Sequence, residues 1–300
     1  MKGTMTSVHT NQALAAAGSK RARSVAKRPK SIWSEIRKPL PRTTSLVLSV
    51  AFFFGLLALW TAVTVTGMVS DFFLPNPAQV FRAAWEMYAH NGFLWDIAVS
   101  IYRVLVGFLL AAAIAVPLGI LMGSIQSFRS LLEPCLAFTR YMPATAFIPL
   151  LVLWLGIDDG QKFSVIFVGT FFTLALMVMV STLTVPVALI EAAIMLGATP
   201  RQLITRVILP AAKPAIFNDL RIVLGWAWTY IVIAEIVAAS SGVGYVILSA
   251  SRFMDTATIF VGIISIGLIG LISDLLFNWA ARTSSPTFSV QDREEPECLK

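Results

Sequence analysis

Six apolar stretches, each long enough to cross a bilayer core as a helix of about 20 residues, constrain this chain more than any other feature. They lie at Leu46–Val69, Ile97–Met122, Leu136–Leu155, Phe163–Thr184, Ile216–Ala239 and Ile259–Trp279. Lipid offers the backbone no hydrogen-bond partners, so a spanning segment must be a helix or part of a closed barrel. The runs are continuous and do not alternate as barrel strands do, so they predict helices. Pro143 and Pro149 interrupt the third run, which is expected to be a broken helix whose freed backbone groups are met by neighbours or by water. The expected fold class is therefore an all-α membrane protein, a polytopic bundle of about six transmembrane helices.

Composition excludes the water-soluble alternative. Of 300 residues, 57% are hydrophobic and 13% charged, against about 25% charged in an ordinary soluble domain. The net charge of +7 is unevenly placed: ten Lys or Arg residues precede Leu46, with Glu35 the only acid there. A basic arm beside apolar spans reads as a topology signal, and no nucleic-acid partner is expected. With the N-terminus in the cytoplasm, the inner segments also carry Arg129, Arg201, Arg206, Lys213, Arg282, Arg293 and Lys300. The outer segments then carry only Arg82, Lys162 and Arg252. Both termini are thus expected to be cytoplasmic.

The expected organisation is a basic, largely disordered arm over 1–45, lying against anionic lipid headgroups, a membrane domain over 46–281, and a cytoplasmic tail over 282–300. Between the first two spans, Leu74-Pro75-Asn76-Pro77 leads rigidly into a short interfacial helix, Ala78 to Ala89, with Phe81, Ala84, Trp85 and Tyr88 on one face. Cys135 and Cys298 suggest no disulfide framework, and His9 and His90 begin no metal-ligand spacing, so no metal is expected. The stretch Ala13 to Gly18 is too short for a signal peptide.

The cytoplasmic loop over about 185–215 is the most informative segment. Pro186 suits a first helical turn, Ala188 to Leu196 read as helix, and Gly197 stands where a left-handed cap favours glycine. Thr199 is a good N-cap and Pro200 a good first-turn residue for a second short helix, which Pro210 is expected to stop. A bent pair of short helices on the cytoplasmic face suits docking into a partner's groove. Glu191 is the charged anchor there, and Ala192 and Ala193 allow close approach.

These residues resemble a known family. Glu191-Ala192-Ala193, three residues, Gly197, nine residues and Val207-Ile208-Leu209-Pro210 are similar to the EAA loop of binding-protein-dependent ABC importer permeases. Val207 stands where isoleucine is usual. The resemblance extends over roughly Leu74 to Ala280. It points within the superfamily to the nitrate, sulfonate, taurine and bicarbonate branch, through Leu74 to Pro77, Ser100 to Arg103 with Gly107-Phe108, Pro117-Leu118-Gly119 with Gly123, Pro143 with Pro149-Leu150, Trp154 to Gly156, and Ala234-Glu235 with Gly242 and Gly244.

The resemblance implies a permease in a bacterial cytoplasmic (inner) membrane, importing a small oxyanion such as a sulfonate, taurine or nitrate by alternating access. It implies a coupling helix in the loop, with Glu191, Ala192, Ala193, Gly197, Ala198, Thr199, Leu209 and Pro210 docking the ATPase. It also implies the partners: a cytoplasmic ABC ATPase dimer, a second permease chain, expected to be a second copy, and a periplasmic or lipid-tethered solute-binding protein. ATP and Mg would be bound by the ATPase. No cofactor is expected on this chain, which carries no GxxxxGK[ST] phosphate loop and no GxSxG or HExxH arrangement.

Charges inside apolar runs cost about 2.5–3.5 kcal/mol on insertion scales, so they usually face a bundle interior or a wet path. Glu235, among Ile231, Val232, Ile233, Ile236 and Val237, is expected either to pair with an arginine such as Arg103 or to form a gate element. Arg103, near the outer side, could attract an anion or snorkel to headgroups. Asp274 reads as interfacial. Trp226, Trp228 and Tyr230 fall on overlapping faces of the fifth span, as packing residues or as a substrate cage. Gly119 and Gly123, four apart, would let the second span approach a neighbour closely. Two readings stand beside the importer: a secondary transporter or anion channel using these charges for coupling, and a membrane-embedded enzyme built on Glu235 or Asp274. Neither accounts for Gly197 at its spacing from Leu209-Pro210.

Overall fold

The computed structural model describes residues 41–284, all of them helix or connecting turn. The basic arm as far as residue 40 and the acidic tail from residue 285 lie outside the described residues. The chain divides into two compact units, 1–59 and 60–300. α1 (Arg42–Val65) runs from the first unit into the start of the second and is apolar along its length, with Leu46, Phe52, Phe53 and Phe54 all exposed, as a span in lipid must be. It ends four residues short of the expected Val69, because Gly67 turns the chain at a positive φ.

The second unit continues with α2 (Pro77–Ala89), fixed by a capping box in which Asn76 and Gln79 exchange side-chain and backbone bonds. Val80 and Met87 face inward while Phe81 and Trp85 remain exposed. Next come α3 (Phe93–Ser124), α4 (Gln126–Arg140), a 3-10 turn Ala144–Phe147 running into α5 (Ile148–Leu155), and α6 (Asp159–Leu183). The 185–215 loop holds α7 (Val187–Met195), and α8 (Leu209–Ala238), α9 (Val243–Arg252) and α10 (Thr256–Ser284) complete the chain.

α6 packs along most of its length on a seam of small residues that runs from the middle of α3 to its end. A side chain at Gly107 would meet Phe163 and Ile166, one at Gly119 Ala175 and Val178, and one at Gly123 Met179 and Thr182. Ala111 and Ala115 continue this seam at four-residue steps and are fully buried. Residue numbers rise together on the two helices, so α3 and α6 run parallel. Two neighbouring parallel spans need one crossing between them, and only α4 and α5 can supply it.

The expected third span, Leu136–Leu155, is thus corrected. The crossing begins at Gln126 and is two legs bent by 83° at Tyr141–Pro143. Pro143 has no N–H to continue the ladder and disfavours helix at Met142. Pro149 sits in the first turn of α5 and breaks nothing. Five long apolar helices and this bent pair make six crossings. Between α3, α6 and α8, the core is built of Val104, Phe108, Leu174, Val178, Ala227 and Ile231.

Two expectations for the loop also change. Pro186 is the N-cap of α7 rather than a first-turn residue. Pro210 does not stop a helix: one α-turn (Pro200–Gln202), a π-segment (Leu203–Ile208) and α8 form one helical run of 39 residues, Pro200–Ala238. Within the π-segment the ladder skips five residues, as in the bond from Leu209 N–H to Ile204 O. The wider turn accommodates a proline ring that would clash with an ordinary i−4 carbonyl.

Candidate functional site

Where the end of α6 connects to the start of α8, the loop carries its own backbone closure. Gly197 has φ +80°; its N–H bonds to Ile194 O at 2.9 Å, and that of Ala198 to Ala193 O at 3.0 Å. This pair of bonds is the Schellman closure of α7, and it needs a left-handed residue at position 197. Two residues on, the Thr199 hydroxyl accepts from Gln202 N–H while the Gln202 side chain accepts from Thr199 N–H at 2.9 Å, starting the next helix. Ala193 and Ala198 are partly buried, whereas Glu191, Ala192, Thr199, Leu209 and Pro210 are exposed. Met195 and Leu196 are 89% exposed, and Ile194 and Val187 lie open beside them.

At the opposite end of the same spans lies a buried polar hub. Arg103 on α3 is 4% exposed and Glu235 on α8 is 0% exposed. Arg103 Nη1 donates to Glu235 Oε1 at 2.8 Å and to Ser241 O at 2.7 Å, Nε to Asp159 Oδ1 at 2.7 Å, and Nη2 to Ser241 Oγ at 3.2 Å. One guanidinium therefore joins α3, the start of α6, the end of α8 and the turn that follows. Glu235 also accepts from Ser100 Oγ at 2.8 Å and from Gly244 N–H at 2.9 Å. Val243 N–H bonds to Ser100 Oγ at 3.0 Å and Gly242 N–H to Asp96 Oδ1 at 2.7 Å.

The first three N–H groups of α9 are thus met by Asp96, Ser100 and Glu235. Helix N-termini leave such donors orphaned, and carboxylates complement the local positive dipole. Gly242, at φ +108°, and Gly244 allow the close approach. A Cβ on Gly242 would fall on the Glu235 carboxylate, and one on Gly244 would lie 2.6 Å from Val232 O. Lys162, 2% exposed, donates to Ile157 O and Asp158 O and closes the turn ahead of α6.

Residues 115–286 match the family described as "Binding-protein-dependent transport system inner membrane component". The chain belongs to this family. A probable ABC transporter permease protein of Brucella melitensis is 40% identical over 241 residues, covering 80% of this chain and 97% of that one. The taurine transport system permease protein TauC of Escherichia coli is 33% identical over 251 residues, covering 82% and 91%. A chain from an inward-facing structure of the MetNI methionine ABC transporter aligns with TM-score 0.55 at 22% identity, covering 67% of this chain and 97% of that one, a likeness of fold. The protein is accordingly a multi-pass ABC permease, a transport component of a family that works with an ATPase and a binding protein.

Other polar residues of the permease separate by depth. The Arg221 guanidinium holds Asp274 across α8 and α10 by two bonds, Nε to Oδ1 and Nη2 to Oδ2, the second at 3.0 Å. Asp219 accepts from Ser181 Oγ at 2.6 Å. Trp226 and Tyr230 share one face of α8, Trp226 43% exposed and Tyr230 packed on Gly169. Trp228 points elsewhere, buried with its Nε1 donating to Ser273 Oγ at 3.1 Å, so the three aromatics form no common cage. Asp96, Asp159 and Ser241 are hub residues that sequence reasoning passed over. The one signal was Asp96 at four and seven residues before Ser100 and Arg103, a helical face.

Proposed function

We propose that this permease imports a small sulfonate or a comparable oxyanion such as nitrate, as one of two identical copies driven by a separate ATPase dimer. The observation that carries the coupling is the left-handed-capped bend at Gly197, with Ile194, Met195 and Leu196 exposed on it. Apolar side chains so placed need a protein cover, and the ATPase supplies it. Glu191, Ala192, Ala193, Gly197, Ala198 and Thr199 form the docking element. Leu209 and Pro210 join it to α8.

Likeness over most of its length to a taurine permease supports the sulfonate class. ATP and Mg bind the ATPase, and this chain performs no chemistry. Its termini lie in the cytoplasm and the Arg103–Glu235 hub on the outer side. Arg103, Glu235, Trp226 and Tyr230 belong either to intramembrane pairing or to the edge of the solute path, the first two through the hub and the last two through the open face of α8.

The test is uptake of radiolabelled taurine into cells together with recovery of the ATPase on the tagged permease in mild detergent. Nothing lies within 4 Å of the position a Cβ would take at Gly197, so the monomer has room for a side chain there. A left-handed non-glycine residue costs roughly 1–2 kcal/mol, and an aspartate would project into the docking surface. Gly197→Asp is expected to leave the permease in the membrane while ATPase recovery and uptake both fall at least tenfold. Normal uptake by this variant would remove the docking element from the mechanism.

A further inference from the structure

The break between α4 and α5 holds an arginine that the hub and the loop do not use. Arg140, Thr139 and Met142 line a small cleft there with Gly169 and Thr173 on α6 and Tyr230 on α8. Gly169 and Thr173 lie roughly 15–21 Å along the 25-residue α6 from Asp159, near its middle. The break therefore stands at mid-depth in the membrane. Non-helical backbone at such depth is tolerated only within protein or along a wet path.

Arg140 is exposed on this face. Arg103, Arg129 and Arg221 each hold a carboxylate, whereas among the described residues no carboxylate lies within ion-pair distance of Arg140. Its neighbour is Tyr141: Nη2 lies 3.4 Å from the phenol oxygen and the guanidinium carbon 5.2 Å from the ring centroid. Stacking on the ring steadies the planar fork and leaves most of its N–H donors free. An arginine turned to lipid at this depth would cost several kcal/mol, so this one faces a wet path or another protein surface.

We propose that Arg140 is the anion-selecting residue of the translocation path, binding two oxygens of a passing sulfonate with its guanidinium while Thr173 and Tyr230 offer hydroxyls beside it. This rests on reading the permease as an oxyanion importer. Paired N–H donors match a planar or tetrahedral oxyanion better than a point charge does. The cleft holds about 30 Å³, the room of one water and too little for a sulfonate. The cleft itself therefore does not hold the solute, which meets the exposed side of Arg140 and comes within reach of Thr173 and Tyr230 when the α4–α5 bend and α6 part.

The complex of permease, its ATPase and its binding protein, reconstituted in proteoliposomes, would be supplied with labelled taurine, methanesulfonate or nitrate. Taurine imported per ATP hydrolysed is expected to fall at least tenfold in Arg140→Gln, about threefold in Arg140→Lys and two- to threefold in Thr173→Val, with all three variants assembling as the wild type does. Wild-type uptake of an uncharged solute and of none of the three anions would defeat the oxyanion reading itself. Wild-type import of taurine matched by Arg140→Gln would defeat the Arg140 assignment alone. Failure of Arg140→Gln to assemble, restored by Arg140→Lys, would show instead an ion pair to the second copy and overturn the assignment as well.

Discussion

Glu235→Ala is expected to lower the melting temperature of the purified permease by roughly 10 °C and to cut its yield in the membrane several-fold. The alanine would leave Arg103 buried with one carboxylate instead of two, and would take the acceptor from the Ser100 hydroxyl proton and the Gly244 N–H together. Breaking a buried pair by removing one partner costs about 3–5 kcal/mol, because the remaining charge stays desolvated. That is a large share of the roughly 5–15 kcal/mol that holds a domain folded. Glu235→Gln keeps acceptors for Ser100 and Gly244 but not the charge, so it should lie between the two. Thermal unfolding followed in detergent measures this directly. A melting temperature within a degree or two of wild type for the alanine variant would mean that the hub does not fasten α9.

Gly119→Val is expected to be comparably damaging by a different route. A Cβ at Gly119 would lie 2.7 Å from Ala175 O and 2.7 Å from Val178 Cβ. The first of these atoms is backbone and cannot turn aside, so α3 and α6 must separate along a seam that runs from Gly107 to Gly123. Overpacking a core costs about 1–3 kcal/mol where side chains can shift. Here a β-branched residue must move a helix, and the cost should reach or exceed the upper figure. Gly119→Ala should show a smaller loss in the same direction. Limited proteolysis and thermal unfolding would report both variants, and a valine variant as stable as wild type would contradict the close parallel contact.

How much of this was legible depended on whether a residue was anomalous where it stood. Arg103 and Glu235 were conspicuous because a charge in an apolar run needs a partner, and the Gly197–Thr199 bend was conspicuous because glycine, threonine and proline fell in capping order. Asp96 and Asp159 stand at the ends of spans, where water would satisfy them equally well, so nothing in the sequence marked them as hub residues. The α4 leg was hidden because it starts with Gln126, Ser127 and Arg129 and so failed a test for continuous apolar length. The ten-residue α9 was hidden for the opposite reason: too short to span, it filled the gap between two apolar runs. Pro210 misled because proline normally ends a helix, and a π-segment that absorbs it leaves no mark in composition.

The helical run Pro200–Ala238 is also a mechanical part. At 39 residues it is about 58 Å long, and its first residue follows directly on Thr199. Tyr230 and Glu235 sit near its far tip. Any displacement of the bend at Gly197 is a displacement of this shaft's near end, and a stiff shaft held in the bilayer must tilt or twist at the other. Its irregular section is the π-segment Leu203–Ile208, close to the bend. The run is thus interrupted twice near the bend, by the π-segment and by Pro214, and carries no further proline from there to Ala238.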